Sequence, residues 1–97
     1  SPLQKTISDR QFFQQAAIEG YITKEEALAA VQTGTIPASL QAIINTIQDE
    51  NDKFNATMIL SGATSFERNH PLVTVIGQSF GKTEAEIDQF FLDAYML

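Results

Sequence analysis

Three short stretches share one grammar. Ser8 is followed three residues on by Gln11, Thr23 by Glu26, and Thr83 by Glu86. In each, the hydroxyl suits the amide at the third helical position, while the Gln or Glu side chain reaches back to the capping residue's own amide. Each stretch therefore opens a helix. Gly20, Gly34 and Gly81 stand where left-handed residues end helices. Starts and stops this close leave room only for short helices joined by tight turns.

Apolar spacing fills in what lies between. Phe12, Phe13, Ala16 and Ala17 line one face of the first helix. Ala27, Leu28 and Val31 are the expected inward face of the second. Pro37 takes a first-turn position, where its missing N–H costs nothing. Leu40, Ile43, Ile44 and Ile47 follow at i, i+3, i+4 and i+7, the cleanest amphipathic stripe in the chain. A fourth helix is expected from about Asp52 to Phe66, with Phe54, Met58, Ile59, Ala63 and Phe66 inward. Within it, Ser61-Gly62-Ala63 is a small patch, one explanation of which is close approach by a neighbouring helix.

Asn69-His70-Pro71 opens the next element, with His70 as a turn residue at the helix start. Leu72, Val75, Ile76 and Phe80 then fit a helix. The run LVTVI also suits a strand, but no other segment reads as a strand to pair with it, and a lone strand leaves its backbone groups without partners. The last stripe is Ile87, Phe90, Phe91, Ala94 and Tyr95. The expected fold is all-α: a single compact domain over residues 1–97, built of five to six short helices arranged as helical hairpins. Its core should hold Leu40, Ile43, Ile44, Ile47, Leu72, Ile76, Ile87, Phe90 and Phe91.

Charge and composition remove several functions. Twelve Asp and Glu oppose six Lys and Arg, for a net charge of −6. Such a surface repels phosphate backbones, so no direct nucleic-acid partner is expected. The absence of cysteine removes disulfides and thiolate chemistry. No apolar run approaches the roughly 18–20 residues that span a bilayer. The segment SPLQKTISDR has no apolar signal core. An intracellular protein without a membrane partner is the expectation.

Four look-alikes fail on spacing or chemistry. VIGQSFGKT suggests a phosphate loop, but Gly77 and Gly81 are separated by three residues where that loop has four. Lys82 and Thr83 read instead as a turn residue and a helix cap. VTVIGQSFGKTEAEIDQFF has helix-turn-helix spacing, yet its second helix shows Glu84, Glu86, Asp88 and Asp93 where a groove reader carries Arg, Lys, Asn or Gln. IEGYITKEEA echoes half of a calcium loop, with Gly20, Ile22 and Glu26 in register. The first ligand positions would then fall on Gln15 and Ala17, and Ala offers no side-chain oxygen. His70 is the only histidine, and Ser61, Ser65 and Ser79 lack a nucleophile elbow. No enzyme activity, cofactor or metal is expected.

The segments K-T-I-S-D-R-Q-F-F-Q-Q, G-Y-I-T-K-E-E-A-L-A-A-V-Q-T-G-T-I-P-A and L-S-G-A-T-S-F-E-R-N-H-P-L together carry a resemblance. The chain from Lys5 to Phe91 resembles small uncharacterised helical proteins encoded in phage and prophage genomes near tail genes. The resemblance implies phage origin, a tail-associated role, and a place in the bacterial host cytoplasm or on the virion. It carries no functional residues.

The function expected is therefore a non-catalytic protein-interaction module, a minor phage structural or accessory protein, working through a protein partner or self-association. Two surfaces are candidates. One is the acidic set Glu84, Glu86, Asp88 and Asp93. The other is the apolar end Tyr95, Met96 and Leu97, which with Ala94 belongs either to the core or to a docking patch. The alternative is an acidic inhibitor that occupies a basic groove of a host nucleic-acid enzyme.

Overall fold

The computed structural model describes residues 5–97. Residues 1–4, part of the segment read for a leader, lie outside the described residues. The order is β1 (Thr6–Ser8), α1 (Asp9–Ile18), α2 (Lys24–Thr33), α3 (Ala38–Asn45), α4 (Glu50–Gly62), β2 (Ser65–Glu67), α5 (Pro71–Ser79) and α6 (Glu84–Tyr95). All three capping boxes form. At the first, Ser8 Oγ accepts the Gln11 amide at 3.0 Å while Gln11 Oε1 accepts the Ser8 amide at 2.8 Å. His70 caps α5: its Nδ1 accepts the Leu72 amide at 3.0 Å. Pro71 then occupies the first turn, and the run LVTVI is helical.

The fold is mainly all-α, with one addition. β1 and β2 pair antiparallel, with Ile7 opposite Phe66. The expected fourth helix ends at Gly62, and Ala63 is already extended. Phe66 therefore reaches the core from a strand, where its ring stacks on Phe12 at 4.5 Å between centroids. Strands of three residues carry too little alternation to show in a sequence.

One apolar core draws on both strands and all six helices. Ile7, Phe13, Ile44 and Phe91 are its largest fully buried side chains. Of the expected core, Leu40, Ile44, Ile76, Ile87, Phe90 and Phe91 are buried. Ile43, Ile47 and Leu72 pack partly buried against it.

The inward faces of two helices differ from expectation. On α2 the buried residue is Ala30, while Leu28 and Val31 face solvent. On α4 the buried pair is Ala56 and Leu60, while Phe54 and Met58 face solvent. Both positions lie two residues from Ala56, about 160° around the helix from it. Each helix turns an alanine inward, joined on α4 by Leu60, and leaves these four bulkier side chains outside. Val75 of α5 and Tyr95 of α6 are likewise exposed, and the residues Val73, Ile76 and Gly77 carry the buried side of α5.

The helix expected to approach at Gly62 is not there; the close contact in this patch is between the Ser61 carbonyl and Gly34, the residue that ends α2. Gly34 ends α2 at φ 71°, and a Cβ there would lie 2.6 Å from the Ser61 carbonyl oxygen. Gly62 meets nothing within 4 Å.

Candidate protein-docking site

The acidic set of α6 is partly committed inside the molecule. Arg68 follows β2 and is 6% exposed. Its Nε donates to Asp88 Oδ1 at 2.6 Å, and its Nη2 donates to the Glu84 carboxylate and to the Glu84 carbonyl. Burial opposes the charge of Arg68. The hydrogen bonds and charges of Glu84 and Asp88 outweigh it and raise the guanidinium pKa. Glu86 closes the capping box with Thr83, whose amide and hydroxyl hold its pKa below the usual carboxylate value. Asp93 accepts from Gln89 Nε2 at 2.8 Å. Each of the four carboxylates thus has a structural partner, and the Glu84 side chain remains 64% exposed.

The stretch VIGQSFGKT is a helix end, not a phosphate cradle. Val75 to Ser79 belong to α5, so their amides are committed to helix bonds. Gly77 lets α6 pack close: a Cβ there would overlap the Ile87 side chain. Gly81 has φ 78° and lies between α5 and the Thr83 cap. Lys82 Nζ donates to Glu19 Oε1 at 3.0 Å and lies 5.0 Å from the Tyr21 ring centre. Burial opposes its charge, but hydrogen bonding to Tyr21 and Glu19 prevails and raises its pKa. Beside it, Tyr21, Phe80 and Phe90 help line an apolar cavity of about 40 Å³. That is room for a few water molecules at most.

The half calcium loop is also accounted for. Gly20 takes a left-handed φ of 83° and Ile22 is buried. Both Glu26 oxygens accept backbone amides, Oε1 from Thr23 and Oε2 from Ala38, each at 3.0 Å. Those bonds hold the Glu26 pKa low. Among the described residues no three His, Asp or Glu side chains gather as a metal site. No single helix there is long and apolar enough to cross a membrane.

An open concavity lies between α1 and α2, where sequence reasoning placed no functional site and instead turned Ala17, Ala27, Leu28 and Val31 inward. It encloses about 500 Å³ and is lined by Arg10, Gln14, Ala17, Ile18, Lys24, Ala27, Leu28 and Val31. The α1 residues follow i, i+4, i+7 and i+8, and the α2 residues follow i, i+3, i+4 and i+7. Each set is therefore one face of a helix. Ile18 is 61% exposed and Leu28 is 55% exposed. Arg10 and Lys24, two of the six cations in this acidic chain, lie along its walls. One signal was available in the sequence: Ala27, Leu28, Ala30 and Val31 cover a wider arc of α2 than one neighbouring helix needs.

Arg10 also joins this groove to the C-terminal patch. Its Nη1 donates to Gln14 Oε1 at 3.0 Å and its Nη2 to the Leu97 carbonyl at 3.3 Å. Ala94 is fully buried and belongs to the core. Tyr95 sits under Lys5 Nζ, 3.9 Å from the ring centre, while Met96 is 81% exposed. Leu97 is 37% exposed.

Comparison of the chain with protein-family models, with curated proteins and with solved structures finds no match in any of the three.

Proposed function

We propose that this chain is a non-catalytic protein-interaction module whose working surface is the α1/α2 groove. One observation carries the reading. Two capped helices present Ile18, Leu28 and Val31 to water along facing helical stripes, with Arg10 and Lys24 beside them. A third amphipathic helix fits such a trough, its anchors filling the apolar floor. The titratable groups support a non-catalytic role. Lys82 is held as a cation, and Glu26 and Glu86 are held ionised by their caps, the reverse of tuning for proton transfer. The sequence resemblance supports a phage accessory protein associated with tails, in the host cytoplasm or on the virion.

The test is affinity capture from phage-bearing cells, comparing the wild type with a Leu28→Asp/Val31→Asp variant at low and high salt. The expected result is a partner that wild type keeps at high salt and the variant loses. A partner that both proteins hold at low salt and release together at high salt would contradict the groove. It would favour the alternative, an acidic face docked on a basic enzyme surface.

A further inference from the structure

We infer that the occupant of the α1/α2 groove is the α4 ridge of a second copy of this chain, so that copies join head to tail. The inference rests on the groove being a docking surface and adds what docks there.

At 13 residues, α4 is the longest helix among the described residues. Its inner side buries Ala56 and Leu60, and its outer side carries Phe54 at 63% and Met58 at 56% exposure. Phe54 and Met58 stand four residues apart, one above the other on the same face. Glu50 stands a further turn before Phe54 on that ridge. Its side chain is 86% exposed, and its contact with Lys53 is long, 3.8 Å. Asp49, the N-cap of α4, precedes it and accepts the Asp52 amide at 3.0 Å, while Asp52 lies a turn before Ala56 and away from the ridge. The ridge thus offers two large apolar anchors behind one exposed carboxylate, that of Glu50. The groove offers an apolar floor between helices that carry Arg10 and Lys24. Apolar anchors can meet an apolar floor and Glu50 can meet Arg10 and Lys24, and both halves reside on one chain.

The two surfaces belong to different elements. A contact between them is therefore not self-reciprocal, and a docked pair still keeps one groove and one ridge free. Such a contact extends to a ring or a filament. Two anchors in an open trough make a small interface, so association should depend strongly on concentration.

The experiment is sedimentation velocity with light scattering on wild type, Leu28→Ser/Val31→Ser and Phe54→Ser/Met58→Ser. All four positions are exposed, and thermal melts check that the variants stay folded. Wild type should grow past the dimer as concentration rises over about two decades. Each variant alone should remain a monomer. An equimolar mixture should form a heterodimer and stop there, since only one intact groove and one intact ridge remain. A wild type that stays monomeric, a species that stops at the dimer, or a mixture that fails to associate overturns the head-to-tail inference. A monomeric wild type that still captures a foreign partner through Leu28 and Val31 overturns the occupant alone and leaves the groove reading standing.

Discussion

Gly77 of α5 lies directly beneath the Ile87 side chain of α6, with no space for a Cβ between them. Two effects of a Gly77→Ala change then oppose each other. Helix propensity favours alanine by about 1 kcal/mol. Overpacking against a buried branched residue costs about 1–3 kcal/mol. The contact should win, and the variant should melt lower. Adding Ile87→Val should recover part of the loss, because the two sites share one contact. Equilibrium denaturation of both variants checks this, and a Gly77→Ala protein more stable than wild type would contradict the packing role.

Phe90 is 7% exposed and meets Phe12 edge to face at 5.6 Å between centroids. Phe90→Ala leaves a cavity and should cost about 3–5 kcal/mol. An unchanged melting temperature would remove Phe90 from the core.

The Arg68 clamp makes two of the acidic residues structural. The Glu84→Ala/Asp88→Ala variant strands a buried guanidinium. It should lose roughly 2–3 kcal/mol, less than a fully enclosed pair would, because water reaches both carboxylates. Asp93→Ala, which breaks only an exposed hydrogen bond to Gln89, should change stability by less than about 0.5 kcal/mol. Urea denaturation distinguishes the two. Equal small effects would mean that the clamp adds nothing and that the carboxylates serve only the surface.

Acid should weaken the fold through its caps. Glu26 and Glu86 have folded pKa values below 4.5, the ordinary value. The unfolded chain therefore binds their protons more readily. The stabilisation is present above the unfolded pKa and is lost as pH falls through the folded one. Glu26→Gln would also lose the oxygen that accepts the Ala38 amide, so the test is Glu86→Gln, which keeps the one cap acceptor used there and removes the titration. Its melting temperature should fall less steeply than wild type between about pH 5 and pH 3. Parallel curves for the two proteins would contradict the linkage.

What the sequence made legible was local chemistry. Ser8, Thr23 and Thr83 fixed helix starts because each cap is settled within four residues. His70-Pro71 opened α5 for the same reason. Which face of a helix turns inward depends on what it meets. Leu28, Val31, Phe54 and Met58 are large and apolar, so spacing alone sends them inward. The packing instead turned Ala30 inward on α2, and Ala56 with Leu60 inward on α4. β1 and β2 escaped notice because three residues each give no pattern, and Phe66 looked like the tail of a helix. The groove was hidden by the same error that misplaced Leu28 and Val31. The acidic set was visible, but the hold of Arg68 on Glu84 and Asp88 was not, since 16 and 20 residues separate them in sequence.

Site-directed photocrosslinking in phage-bearing cells tests the docking groove most directly. A benzophenone side chain would replace Leu28 on the groove floor or, in a second protein, Gln89 on the acidic helix. The groove account predicts a discrete adduct from position 28, whether with a second copy or another protein, and none from position 89. An adduct from position 89 with none from position 28 would contradict it and move the working surface to α6.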